Sequence, residues 1–90
     1  SQRWIISRHA TGYLTINAKH SSKSLEVATS SLDNGGNVQQ GNPAGGDNQL
    51  WLADHQSADF FTLKAKHSGK VLDVSGSSTA SGANVHQWSL

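Results

Sequence analysis

The sequence predicts an all-β fold assembled from two copies of one small unit. Three observations carry that expectation. Residues 13–43 align without a gap on residues 60–90, offset by 47, with fourteen of thirty-one positions identical. Short stretches alternate apolar and polar residues, the period of a strand rather than a helix. Clusters of Gly, Ser, Asn and Asp separate those stretches, as turns require.

The repeat sets the organisation, since a period of this length marks stacked copies of one supersecondary unit. Ala18-Lys19-His20-Ser21 lies over Ala65-Lys66-His67-Ser68, and Asn37-Val38 over Asn84-Val85. The offset continues backwards, placing Gln49-Leu50-Trp51-Leu52 over Gln2-Arg3-Trp4-Ile5. Residues 1–90 therefore read as one module. Repeat one spans 13–52 and repeat two 60–90, and the last strand of repeat two is equivalent to 1–6. In this frame the chain opens on the final strand of a unit and closes before one.

Each unit reads as four short strands. In the first these are residues 13–17, 24–27, 37–40 and 49–52. In the second they are 60–64, 71–74 and 84–88, with the fourth equivalent to 1–6. The turns between them carry Asp33-Asn34-Gly35-Gly36, Pro43-Ala44-Gly45-Gly46-Asp47, His67-Ser68-Gly69-Lys70 and Ser81-Gly82-Ala83. Alternation puts Leu72 and Val74 on one side of their strand and Asp73 on the other. It puts Val85 and Gln87 on one side and Asn84, His86 and Trp88 on the other. With the valine side as the core, Asp73, His86 and Trp88 are expected to face solvent.

Composition narrows the function classes. Ninety residues with 34% apolar and 14% charged side chains suit a small turn-rich domain with a modest core. Three Trp and regular Val, Leu and Ile argue against disorder. The net charge is +1 and the seven Lys and Arg are scattered, which argues against a nucleic-acid surface. No apolar run approaches the ~20 residues of a membrane span. There is no Cys, so no disulfide forms. The five His lack metal-ligand spacing, and no metal or cofactor is implied. The chain has no Met and no signal-peptide pattern, which points to a processed, excised or engineered start.

Catalysis is not expected. Hydrolysis of a glycosidic bond uses two carboxylates about 5–10 Å apart. The candidates are Glu26, Asp33, Asp47, Asp54, Asp59 and Asp73. Glu26 and Asp73 occupy equivalent places in different units, and no nucleophile-elbow motif is present. A binding role fits better. A sugar offers hydroxyls in fixed directions and an apolar face of C–H groups. A carboxylate, an imidazole or amide and an aromatic plate match that pattern. Asp73, His86 and Trp88 supply this set.

The order Lys-His-Ser-Gly-Lys, Leu-Asp-Val, Gly-Ala-Asn-Val-x-Gln-Trp and Gly-Gly-Asp-Asn-Gln-x-Trp resembles the ricin-type β-trefoil lectins. These also occur as carbohydrate-binding modules of glycosidases. The resemblance implies β-trefoil units, in which three copies close a barrel capped by hairpins and each can hold a shallow sugar site. It assigns Asp73 as the sugar anchor, His86 as its support and Trp88 as the stacking plate, with Ser1 and Gln2 completing the stronger site. Ser1 departs from the Asn of the family pattern. In the weaker, vestigial site the matching residues are Glu26, Gln39, Asn48 and Gln49. There Glu26 is one methylene longer than the expected Asp, and Gly41 stands where the plate belongs. Gln2, Gln49, Trp4 and Trp51 read as structural rather than ligand-touching. His20 and His67 read as turn residues, and Lys23 and Lys70 as solvated turn charges.

The implied ligands are mono- or oligosaccharides, galactose or lactose types among them, in a secreted or extracellular parent protein. Three 47-residue units would take about 141 residues, more than the 90 present. The expected resolution is oligomerisation, a homotrimer whose six units form two trefoils with multivalent sites. Two alternatives stand beside this: a protein-interaction trefoil module, and an engineered or excised fragment of a larger lectin or glycosidase.

Overall fold

Alternating apolar residues can bury one side of a short strand, and the computed structural model shows where those sides meet. It describes residues 3–57 and 61–90. The expectations for Ser1, Gln2 and the strand start at Phe60 lie outside that range. The described strands are β1 (Trp4–Arg8), β2 (Leu14–Ala18), β3 (Ser24–Val27), β4 (Val38–Gly41), β5 (Trp51–His55), β6 (Phe61–Ala65), β7 (Val71–Val74) and β8 (Val85–Trp88). Three 3₁₀ turns, Ala28–Ser30, Asp47–Gln49 and Ser75–Ser77, are the only helical segments described. The class is all-β, as the alternation predicts.

The strand pairing repeats with the sequence. Trp4 to Arg8 pair antiparallel with Ala18 to Leu14, and Trp51 to His55 pair in the same way with Ala65 to Phe61. Ser24 faces Gly41 across β3 and β4, as Val71 faces Trp88 across β7 and β8. Strand order is β4-β3-β2-β5-β6-β7-β8, with β1 also on β2, and the Leu14–Trp51 pair joins the halves. Backbone shape repeats even where residues differ. Thr29 (φ 56°) and Gly76 (φ 64°) hold the same left-handed position, and Thr pays a steric penalty there that Gly avoids.

The core sits where the two halves meet. Ile16, Val27, Trp51 and Ala65 are buried together, with Leu25, Val38, Leu63 and Leu72 packed around them. Trp51 is fully buried, and its indole N–H donates to the Leu25 carbonyl at 3.1 Å. Burial of the indole N–H needs that acceptor.

Two expectations change. Gln49 does not begin a strand: Asp47–Gln49 is a 3₁₀ turn in which the Gln49 N–H donates to the Gly46 carbonyl, and β5 starts at Trp51. His86 and Gln87 do not fall on opposite sides of exposure, because both are buried (9% and 0% exposed). The cause is residues 31–37 of the first unit, which lie along the outer edge of β8. The Gln87 N–H donates to Gly36, the Gly35 N–H donates to Gln87, and Asn37 bridges to His86. Alternation along β8 therefore does not separate a wet side from a dry one: His86 is buried on the side where Trp88 is half-exposed.

Removing the Trp51 indole should cost about 3–5 kcal/mol through the cavity and the orphaned Leu25 carbonyl. Urea denaturation of Trp51→Ala, read by circular dichroism, checks this; a loss below about 1 kcal/mol would contradict the packing described.

Candidate functional site

The candidate site is built on the β7–β8 ladder. Asp73 and His86 are directly opposite in register, and Trp88 lies two residues beyond His86. Side chains two apart along a strand share a side, so the imidazole and indole come together. Their rings stack with centroids 5.3 Å apart and planes 29° from parallel. His86 Nε2–H donates to Asp73 Oδ2 at 2.9 Å. This contact orients the carboxylate and uses one of its oxygens. Among the described residues Asp73 Oδ1 has no hydrogen-bond donor, and the Asp73 side chain is about half exposed. Trp88 is 45% exposed. The expectation that all three face solvent therefore holds for Asp73 and Trp88. His86 is instead tucked beneath them, as the residue that positions both.

This arrangement offers an open carboxylate oxygen beside a half-exposed aromatic plate. It can accept hydroxyl hydrogen bonds and receive an apolar C–H face. Ser1 and Gln2, expected to complete it, lie outside the described residues.

The equivalent place in the first unit is closed. Glu26 faces Gln39 across β3 and β4. Its Oε2 accepts from Gln39 Nε2 at 2.8 Å, and its Oε1 accepts from Gln49 Nε2 at 2.9 Å. Gln49 is buried and its amide is spent: Nε2 also donates to the Asn42 carbonyl, and Oε1 accepts from the Ala44 and Gly45 N–H groups. Asn48 donates from Nδ2 to the Val27 carbonyl at 3.0 Å. The structure thus gathers Glu26, Gln39 and Gln49 but ties them to one another, and it turns Asn48 onto the backbone. Gly41, the counterpart of Trp88, is part of the same closure. A Cβ there would collide with the Glu26 carboxyl group. The longer Glu side chain and the missing side chain at position 41 are a matched pair.

Sequence reasoning missed His67, read as a turn residue. Its Nε2–H donates to the Ser31 carbonyl at 2.7 Å, tying the second unit to the first. Gln87 Nε2 donates to the same carbonyl and to that of Asp33, at 2.7 and 2.8 Å. The recurrence of Ala-Lys-His-Ser at the 47-residue offset was the available signal. Among the described residues no group of three or more His, Asp or Glu could hold a metal.

The family model for the ricin-type beta-trefoil lectin domain-like group matches residues 1–88. The chain belongs to that family. Among solved structures, this trefoil chain is similar to a designed 3-fold symmetric protein, ThreeFoil, with 43% identity and a TM-score of 0.96. The match covers 99% of this chain and 64% of ThreeFoil. It is also similar to an exo-beta-1,3-galactanase from Clostridium thermocellum, at 32% identity and a TM-score of 0.95, over 100% of this chain and 20% of the enzyme. A Polyporus squamosus lectin shares the fold at 23% identity and a TM-score of 0.81, over 97% of this chain and 30% of the lectin. The chain thus spans less than two thirds of these proteins. No curated protein matches it.

Because Glu26 fills the space a side chain at 41 would need, Gly41→Trp alone should displace the Glu26 carboxylate from Gln39 and Gln49 and destabilise the fold by about 1–2 kcal/mol through those lost hydrogen bonds. Glu26→Asp combined with Gly41→Trp should recover most of that loss, measured by thermal melting of both variants and the parent. Equal melting of single and double variants would show that the two positions are not coupled.

Proposed function

We propose that this lectin-like chain is a non-catalytic carbohydrate-binding module for galactose- or lactose-type sugars, with Asp73, His86 and Trp88 as the site. The carrying observation is the open Asp73 oxygen held by His86 beside the half-exposed Trp88 ring. Asp73 would anchor a pair of sugar hydroxyls, and Trp88 would stack on the C–H face. His86 would hold the carboxylate in place. The likeness to an exo-beta-1,3-galactanase supports a galactose-type ligand. The carboxylates Asp73 and Glu26 serve different units, and Glu26 is held by two glutamines, which supports binding over hydrolysis. An extracellular setting, where glycans are displayed, suits this reading.

Self-association as a homotrimer forms the second part of the reading. An open apolar hollow of about 590 Å³ and the exposed Trp4 and Ile6 favour it. Large exposed apolar patches mark association surfaces. Six units would then form two trefoils and raise avidity for multivalent glycans.

Affinity per site should be weak, because a shallow site exchanges hydrogen bonds with water. Titration with lactose followed by tryptophan fluorescence tests the site. The parent should respond, and Asp73→Asn and Trp88→Ala should each weaken binding at least about tenfold. Glu26→Gln should leave it unchanged. Absence of any response to mono- or disaccharides would favour a protein-interaction module.

A further inference from the structure

The turn that covers β8 comes from the first unit and ends beside the aromatic plate. Gly35 N–H donates to the Gln87 carbonyl and Gln87 N–H to the Gly36 carbonyl, so this turn runs along the edge of β8 opposite β7. Gly35 holds a left-handed φ of 87°, which suits glycine. A Cβ built on it would lie 4.0 Å from Trp88 Cζ3. The benzo edge of the indole therefore leans away from β7 and meets bare backbone of the first unit.

Two side-chain amides are held at this rim. Asn34 Oδ1 accepts from Ser89 N–H at 2.9 Å and from Ser89 Oγ–H at 3.0 Å, at the residue that follows Trp88. Asn37 bridges to His86, and its Oδ1 accepts from Asn84 Nδ2 at 2.8 Å. In both amides the oxygen is occupied. Among the described residues neither Nδ2 has an acceptor, and both asparagines are exposed. The rim thus offers oriented donors on one flank of Trp88, and Asp73 offers an acceptor on the other. The 47-residue offset puts Ser81 in the place of Asn34. The Asn34 amide therefore belongs to the turn that borders Trp88, not to the repeat as such.

We propose that residues 34–37 form a second subsite, and that the ligand is an oligosaccharide of at least two hexose rings lying across β8. From β7 over β8 to the rim is two strand spacings, about 10 Å, more than one pyranose ring covers. One ring sits against Asp73 and Trp88. The next lies over the benzo edge of Trp88 and the Gly35 backbone, where its oxygens accept from Asn34 and Asn37. Glycine at 35 leaves that ring room. Amides already pinned by Ser89 and Asn84 lose little freedom when they bind. The inference rests on the sugar reading of Asp73, His86 and Trp88, and adds selectivity for chain length.

Calorimetric titration with galactose, lactose and β-1,3-linked galactobiose tests this. The better of the two disaccharides should bind about tenfold more tightly than galactose. Asn34→Ala and Asn37→Ala should each remove most of that advantage, while galactose affinity and the circular dichroism spectrum stay as in the parent. Asn37→Ala leaves the Asn34–Ser89 bonds in place, so it reads the subsite even where Asn34→Ala loosens the turn. Equal affinity of the parent for all three sugars would overturn the second subsite and leave the Asp73 site standing. So would a disaccharide advantage that survives both substitutions, or an Asn37→Ala loss of equal size for galactose and disaccharide. A parent that binds none of the three sugars would overturn both readings.

Discussion

The contact on which the structure depends is the seam between one unit and the next. A 47-residue unit has little interior of its own, so its core is completed by a neighbour. Trp51, at the end of the first unit, is the centre of this seam: it packs against Ala65 of the second unit while its indole N–H holds the Leu25 carbonyl of its own. At its rim, residues 31–37 grip the outer edge of β8 through Gln87. That grip has a functional consequence. It holds the strand carrying His86 and Trp88, and buries His86 beneath the carboxylate it orients. The second-unit site is therefore shaped by the first unit, although none of Asp73, His86 and Trp88 belongs to it.

The two equivalent places show how small substitutions redirect the same scaffold. In the second unit a short carboxylate reaches one partner, His86, and keeps an oxygen open beside an aromatic ring. In the first, one more methylene lets Glu26 reach Gln39 and Gln49 together, over a glycine that leaves room for it. The polar groups are satisfied internally there, and a ligand would have to displace those bonds. Charge-assisted bonds of this type are short and comparatively strong. The first-unit cluster thus acts as a clasp between β3, β4 and the Asp47–Gln49 turn.

The fold was legible because the repeat and the two-residue alternation are local properties of the chain. Strands 24–27 and 71–74 coincide with the sequence reading residue for residue. That Asp73 and Trp88 share one side was legible for the same reason. The burial of His86 was not, because the turn covering it comes from about fifty residues earlier in the chain. Gln49 was misplaced in a strand since its side chain, through bonds to Asn42, Ala44 and Gly45, stabilises a tight turn that alternation does not reveal. His67 was read as a turn residue, whereas its acceptor lies 36 residues away on the other unit. In each case the missing information was a partner distant in sequence.

The most direct test of the account uses the three tryptophans as reporters in one nitrogen–proton correlation spectrum. Each indole N–H gives its own signal, and single Trp→Phe variants assign them. On addition of lactose, the Trp88 signal should shift progressively, while the signal of the buried Trp51 stays in place. Shifts confined to Trp51 or Trp4, or a Trp88 signal that does not move at saturating sugar, would contradict the site described.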